Sequence, residues 1–135
     1  MFEVGVHAEF SATHRLRGDF GAATQPHSHA YRVEAVVRGP ALGPDGTLLD
    51  VEALRRLLDD ALSPLAGRDL DTVPGLRGLN TTAEVVARYL FDALRAGLLR
   101  LGDSASGRLG SLRVTVWESP EVWAGYDAPL HDPER

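Results

Sequence analysis

Two stretches of the chain alternate between apolar and polar residues, and this pattern constrains the fold more than any other feature. In residues 2–14 the even positions are mostly apolar and the odd positions mostly polar. In residues 27–38 the apolar face falls on odd positions, at Tyr31, Val33, Ala35 and Val37. A period of two indicates β-strands with one buried face. Other elements must therefore cover that face of each strand.

Two helices are predicted after this strand pair. The first follows Asp50, which suits an N-cap, and ends at Pro64. Its apolar residues recur at helical spacing, at Leu54, Leu57, Leu58, Ala61 and Leu62. The second begins at a predicted capping box, with Thr81 as N-cap and Glu84 as third helical residue, and runs to about Arg100. Both helices can present an apolar face to a sheet.

Two shorter alternating stretches follow a Gly- and Ser-rich segment, residues 102–110, which is predicted as a loop. Their apolar residues are Leu112, Val114 and Val116, then Val122, Ala124 and Tyr126. The order strand, strand, helix, helix, strand, strand indicates an α+β fold, with two helices on one face of a four-stranded antiparallel sheet. The chain has no internal repeat or boundary, so residues 1–135 are predicted to form one domain.

The composition excludes several kinds of chemistry. The chain has no cysteine, which excludes disulfides, thiolate metal sites and a thiol nucleophile. All 14 basic residues are arginine, which excludes a Schiff-base lysine. The net charge of −5 argues against a nucleic-acid partner. No apolar run approaches the ~18 residues that span a bilayer, and residues 1–4 do not resemble a signal peptide, so a cytoplasmic protein without a membrane partner is expected.

Three of the five histidines share the apolar faces of the first two strands. His14 continues the even face of the first strand, while His27 and His29 begin the odd face of the second. If these strands pair as an antiparallel hairpin, the three imidazoles converge. Three neutral nitrogen ligands with an open fourth position are typical of a catalytic zinc site. The alternative is three unrelated histidines in the core or on the surface; His7 and His131 are expected to be solvated.

Glu118 follows the last predicted core strand in phase with its apolar residues. A carboxylate on a buried face is costly unless it has partners. It can accept two parallel hydrogen bonds, which suits a ligand edge that carries two donors. The alternative is a residue at a strand end that turns back to solvent.

These motifs, in this order, resemble the family of 6-pyruvoyl-tetrahydropterin and 6-carboxytetrahydropterin synthases over about residues 2–126. The matching segments are FSATHRL at residues 10–16, HSHAY at 27–31, GTLLDV at 46–51, NTTAE at 80–84 and WES at 117–119. The spaced histidines, the capping-box motif and the terminal Glu together make the resemblance specific.

The resemblance implies a tunnelling fold (T-fold), in which sheets of several subunits join edge to edge into a β-barrel, as a trimer or hexamer with sites at the subunit interfaces. It implies zinc on His14, His27 and His29. It also implies a pterin held at its amino-pyrimidine edge by Glu118, with Thr82 nearby. The activity implied is that of a carbon–oxygen or carbon–carbon lyase acting on 7,8-dihydroneopterin triphosphate or a related pterin. Queuosine, folate, biopterin and secondary-metabolite pathways all stay open.

The chain departs from the family in the groups that move protons. Family enzymes carry a base, usually cysteine and in one subgroup glutamate, on the loop before the second strand, where this chain has Gly21 and Ala23. The family's Asp-His pair aligns with residues 66–67, which are Ala and Gly. Replacement bases would have to come from carboxylates, and the weak candidates are Asp19, Asp69 and Asp71; for each of them the favoured alternative is a solvated loop residue.

Two other functions compete with a lyase. One is a non-catalytic protein that binds a pterin or purine-like ring on zinc and Glu118. The other is a cupin-like metal enzyme, since His27, His29 and Glu34 superficially match that motif. Glu34 is out of phase with the two histidines, which argues against the cupin interpretation. Turnover in the presence of metal separates the lyase from the binding protein.

Overall fold

The computed structural model describes residues 1–102 and 107–131. It contains one antiparallel sheet of four strands in the order β1-β2-β3-β4, with two helices, as predicted. The elements are β1 (Phe2–His14), β2 (His27–Gly39), α1 (Val51–Leu62), α2 (Ala83–Leu99), β3 (Ser111–Trp117) and β4 (Trp123–Pro129). Short 3-10 helices span Gly21–Thr24 and Leu70–Thr72. Residues 103–106 of the predicted loop, and residues 132–135, lie outside the described residues.

The first two strands form a long hairpin whose register runs from Phe2 opposite Gly39 to His14 opposite His27. This register places the even face of β1 and the odd face of β2 on the same side of the sheet. Their core residues are almost fully buried: Val6, Phe10, Ala12, Tyr31, Val33, Ala35 and Val37. Both helices pack on that side, α1 against β1 and α2 against β3 and β4. The predicted α+β layering is therefore confirmed.

The helix starts follow local chemistry, with one correction. Asp50 caps α1, as predicted, by accepting a hydrogen bond from the backbone N–H of Glu52 at 3.0 Å. The N-cap of α2 is Thr82, whose Oγ1 accepts from the N–H of Val85 at 3.3 Å, so the predicted cap at Thr81 is wrong. Thr81 is fully buried and its hydroxyl donates to Asp71 instead. Oγ1 of Thr81 also lies 3.2 Å from Nδ1 of His14, so tertiary partners engage both the hydrogen and the lone-pair side of this hydroxyl, and the next residue serves as the cap.

The segment after α1 is fastened to the end of β1. The N–H of Gly67 donates to the carbonyl of Ser11 at 2.7 Å, and the N–H of Thr13 donates to the carbonyl of Arg68 at 3.0 Å. Asp69 then caps the 3-10 helix Leu70–Thr72 by accepting from the N–H of Asp71. These bonds hold two carboxylates beside His14, the last residue of β1.

Neither α1 nor α2 combines the length and apolar character needed to cross a lipid bilayer, and no other helix in the described parts of the chain does so.

Candidate metal centre

The three in-phase histidines lie together at one end of the β1–β2 hairpin. His14 is the register partner of His27, and His29 is the partner of Ala12 on the same face. One ring nitrogen from each histidine lies within 4.8 Å of the other two. His14 is 2% exposed, while the other two rings are half-buried. The cluster is thus open to ligands on the side of β2 and closed on the side of β1.

Hydrogen bonds fix which nitrogen two of these rings present. Nδ1 of His14 lies 2.8 Å from the carbonyl of Thr81, and Nδ1 of His27 lies 2.8 Å from the carbonyl of Gln25. A carbonyl only accepts, so Nδ1 carries the proton in both rings. Nε2 is then a lone-pair donor in each, which is how metal-binding histidines are commonly held.

The strongest sign of a missing partner is Nε2 of His14. This atom is buried and makes no hydrogen bond with any described residue. Buried polar atoms are nearly always satisfied, so an orphan in a cluster of three imidazoles fits a ligand that the protein itself does not supply. Three neutral nitrogens without thiolates suit zinc, and the residues present fit that ion.

The environment keeps His29 in the form that binds metals. Burial is the main cause that lowers the pKa of His29 from its ordinary value, and the neighbouring His14 and His27 lower it further. The charge of Glu118 opposes the shift. A lowered pKa favours the neutral imidazole, which is the form that coordinates a cation.

Two of the three carboxylates considered as replacement bases border this cluster. Asp69 and Asp71 line a cavity of about 320 Å³ together with Thr13, His14, Arg15 and Pro26. Asp71 is half-buried, and both its oxygens accept hydrogen bonds, from the hydroxyl of Thr81 and the N–H of Arg15. Asp19 is exposed in the loop after β1 and does not line the cavity. The geometry therefore separates Asp69 and Asp71 from Asp19.

The two residues predicted to bind substrate lie at element ends. Glu118 directly follows β3, is half-buried, and donates its N–H to the carbonyl of Val122 at 3.0 Å in the turn to β4. Its carboxylate is close enough for its charge to act on His29 and Tyr31. Thr82 is the N-cap of α2, and its hydroxyl oxygen accepts a hydrogen bond from the N–H of Val85.

Tyr31 is a member of this cluster that sequence phase assigned only to the core. It is 1% exposed, stacks on Phe10 at 4.8 Å between ring centroids, and meets the ring of His29 edge-on at 5.2 Å. Its hydroxyl is buried without a partner among the described residues. Burial, with the charges of Glu118 and Asp71, raises the pKa of Tyr31, so it stays a protonated donor. Its position two residues after His29, on the same face, was the available signal.

Comparison with known proteins gives a consistent picture. A protein-family profile described as "6-pyruvoyl tetrahydropterin synthase" matches residues 3–129. The chain is 28% identical over 127 residues to 6-carboxy-5,6,7,8-tetrahydropterin synthase of Bacillus subtilis (strain 168), covering 93% of this chain and 84% of that protein. It is 27% identical over 97 residues to 6-pyruvoyl tetrahydrobiopterin synthase of Dictyostelium discoideum, covering 63% of this chain and 72% of that protein.

Solved structures agree with the fold. The 6-pyruvoyl tetrahydropterin synthase of Caenorhabditis elegans superposes with a TM-score of 0.79 at 26% identity, over 94% of this chain and 95% of that one. The Plasmodium falciparum enzyme gives a TM-score of 0.79 at 17% identity, over 95% and 98% of the two chains, and at that identity supports the fold alone.

Proposed function

Because the chain belongs to the 6-pyruvoyl tetrahydropterin synthase family, we propose that it binds one zinc ion through His14, His27 and His29 and processes a pterin there. The observation that carries this proposal is the convergence of three ring nitrogens within 4.8 Å, with Nε2 of His14 buried and unsatisfied. An ion at their centre would satisfy that atom and use the neutral form that the surroundings of His29 favour.

The proposed substrate is 7,8-dihydroneopterin triphosphate or a close relative. Glu118 is the residue proposed to hold it, because an ionised carboxylate accepts two parallel hydrogen bonds from an amino-pyrimidine edge. Its charge reaches His29, so a ring held there would lie next to the histidine cluster. Thr82, at the start of α2, is proposed as a neighbouring contact.

Zinc, when bound, would act as a Lewis acid that makes a C–H beside a coordinated oxygen more acidic. The chain must still supply a group that removes the proton. Ala66 and Gly67 stand where the resembling family carries its Asp-His pair, and neither can do so. Asp69 is the more available carboxylate. Its Oδ1 accepts a hydrogen bond from the N–H of Asp71, but its Oδ2 accepts none from the described residues. Both oxygens of Asp71, by contrast, accept hydrogen bonds.

The complete site is proposed to form between subunits of a trimer or hexamer. Both outer strands of the sheet leave most of an edge open. Among the described residues, β1 makes outward backbone contacts at Ser11 and Thr13, close to its end, and β4 is the last strand. Val122 and Trp123, at the start of β4, are 54% and 58% exposed. Long open edges expose unpaired backbone N–H and C=O groups, and edge-to-edge pairing of the sheets of several copies would satisfy them.

A second function has an observation of its own in its favour. The residues that would bind zinc and pterin are present, whereas the family's cysteine, aspartate and histidine positions are occupied by small residues. That combination suits a protein that binds a pterin without turning it over. Incubating zinc-loaded protein with 7,8-dihydroneopterin triphosphate and following the products by chromatography separates the two. New pterin products support the enzyme, and unchanged but protein-bound substrate supports the binding protein.

A further inference from the structure

A chain of hydrogen bonds runs from the half-buried carboxylate of Asp71 to the buried imidazole of His14. Oδ1 of Asp71 accepts from the hydroxyl of Thr81 at 2.9 Å. The carbonyl and Oγ1 of Thr81 lie 2.8 Å and 3.2 Å from Nδ1 of His14. Thr81 is 0% and His14 2% exposed, so solvent does not compete for the bond between these two residues, while Asp71 is half-buried.

Two groups in this chain can only accept hydrogen bonds, the carboxylate of Asp71 and the carbonyl of Thr81, and they determine where the protons lie. A carboxylate and a carbonyl only accept, so the hydroxyl of Thr81 must donate to Asp71, and Nδ1 of His14 must carry the ring proton. The lone pairs of the Thr81 hydroxyl are then available to Nδ1. Nε2 of His14, the atom that lacks a partner, is then unprotonated and has a free lone pair for the cluster.

The same carboxylate also holds the backbone beside His14. Oδ2 of Asp71 accepts from the N–H of Arg15 at 3.1 Å. The N–H of Asp71 in turn donates to Oδ1 of Asp69, which fixes the 3-10 helix that carries it. Asp71 therefore restrains His14 at two points, the ring through Thr81 and the main chain through the next residue.

We propose that Asp71 is a positioning residue of the metal centre, acting through the Thr81 hydroxyl to hold the direction of the His14 ring, whose tautomer the Thr81 carbonyl fixes. The inference rests on the three-histidine centre proposed above. Carboxylates that reach a metal-bound histidine through its second ring nitrogen typically contribute ~10- to 100-fold in metal affinity. Asp71 here acts at one remove, with the Thr81 hydroxyl between carboxylate and ring.

The test is zinc affinity, measured by competition with a chromophoric chelator. Asp71→Ala and Thr81→Val should each weaken zinc binding by about 10- to 100-fold. The double variant should bind zinc no more than about threefold more weakly than the single variant with the lower affinity. Both substitutions break the same chain of hydrogen bonds, and the effects of substitutions within one network do not add. A purely structural contribution would give losses that multiply.

A milder variant and a matched control guard against misfolding. Asp71→Asn keeps the side-chain shape but leaves one acceptor for two donors, so zinc binding should weaken less than in Asp71→Ala. The ligand-field spectrum of the cobalt(II) form should shift from that of the unsubstituted protein. Asp50→Ala removes a carboxylate cap at the start of α1, where Val51 lines a cavity with Phe2 at the opposite end of the hairpin. It should lower stability without changing zinc affinity.

Folded Asp71 and Thr81 variants that bind zinc within twofold of the unsubstituted chain would overturn this inference, and so would multiplicative losses with an unchanged cobalt spectrum. If the unsubstituted chain itself binds no zinc, the metal centre and this inference both fail. If it binds zinc and the Asp71 and Thr81 substitutions leave the zinc affinity unchanged, the metal centre stands and only the role of Asp71 is lost.

Discussion

His14 and His27 are register partners at the last position of the β1–β2 hairpin, and their ring centroids lie 4.5 Å apart. His29 follows two residues later on β2, with its ring 5.1 Å from that of His14. The candidate centre is therefore a product of strand register. A slip of one residue would move one set of rings to the other face of the sheet, so the apolar contacts that fix the register also assemble the ligands.

Glu118→Gln should weaken pterin binding by about 1–3 kcal/mol, because it turns one acceptor of the carboxylate into a donor and leaves buried polar groups mispaired. Zinc content should not change, since Glu118 is not proposed as a ligand. Calorimetric titration with a pterin measures the first effect and metal analysis the second. Glu121→Gln, an exposed carboxylate in the same turn, is the matched control. A Glu118 variant that loses zinc but keeps pterin would reverse the assignment.

The zinc-loaded protein should be a poor catalyst of the two reactions named for its relatives. General-base catalysis by a positioned side chain typically contributes ~10²–10⁴-fold, and the family's base is absent. We expect little or no 6-pyruvoyl- or 6-carboxytetrahydropterin to form. Slow cleavage of the substrate side chain, or turnover of another pterin, is the alternative reaction. Turnover at or above ~1 s⁻¹, within the ordinary enzyme range, would show that a replacement base exists.

Alanine substitutions at saturating zinc would then identify that base. Asp69→Ala should abolish most of the turnover, because Asp69 lines the cavity beside His14 and keeps an oxygen free of described hydrogen bonds. Asp19→Ala is the control and should have no effect, since Asp19 does not line that cavity. Loss of turnover in the Asp19 variant alone would identify Asp19 as the base and contradict the choice of Asp69.

Tyr31→Phe should leave the free energy of unfolding unchanged or slightly higher. The hydroxyl of Tyr31 is buried without a partner among the described residues, so its removal relieves a desolvation cost while the stack on Phe10 remains. Urea denaturation of the metal-free protein measures this. A loss of more than about 1 kcal/mol would mean that the hydroxyl is satisfied, for example by a buried water.

Thr82→Ala should lower the stability of the chain by about 1 kcal/mol, the usual contribution of an N-cap hydroxyl. Thr82→Ser keeps an acceptor for the N–H of Val85 and should be close to neutral. Denaturant titrations of both variants decide the position of the cap. A neutral Thr82→Ala would restore the cap to Thr81, where the local motif had put it.

The parts of the fold that sequence predicted are those that depend on local period. Alternation predicted the strands, and the same phase predicted which histidines meet, because side chains two residues apart share a face. The cap of α2 was misplaced because Thr81 and Thr82 both suit it locally, whereas Asp71 and His14, both distant in sequence, engage the hydroxyl of Thr81. The link from Asp71 to His14 spans distant segments, and no pattern along the chain signals it.

Metal content per chain tests the account most directly. Protein loaded with zinc and then dialysed should retain about one ion per chain by elemental analysis, as three histidines with an open fourth position predict. The His27→Ala, His29→Ala double variant should retain almost none, while His7→Ala, on the opposite and exposed face of β1, should retain as much as the unsubstituted protein. A double variant that keeps its full zinc would contradict the assignment of the metal to this centre.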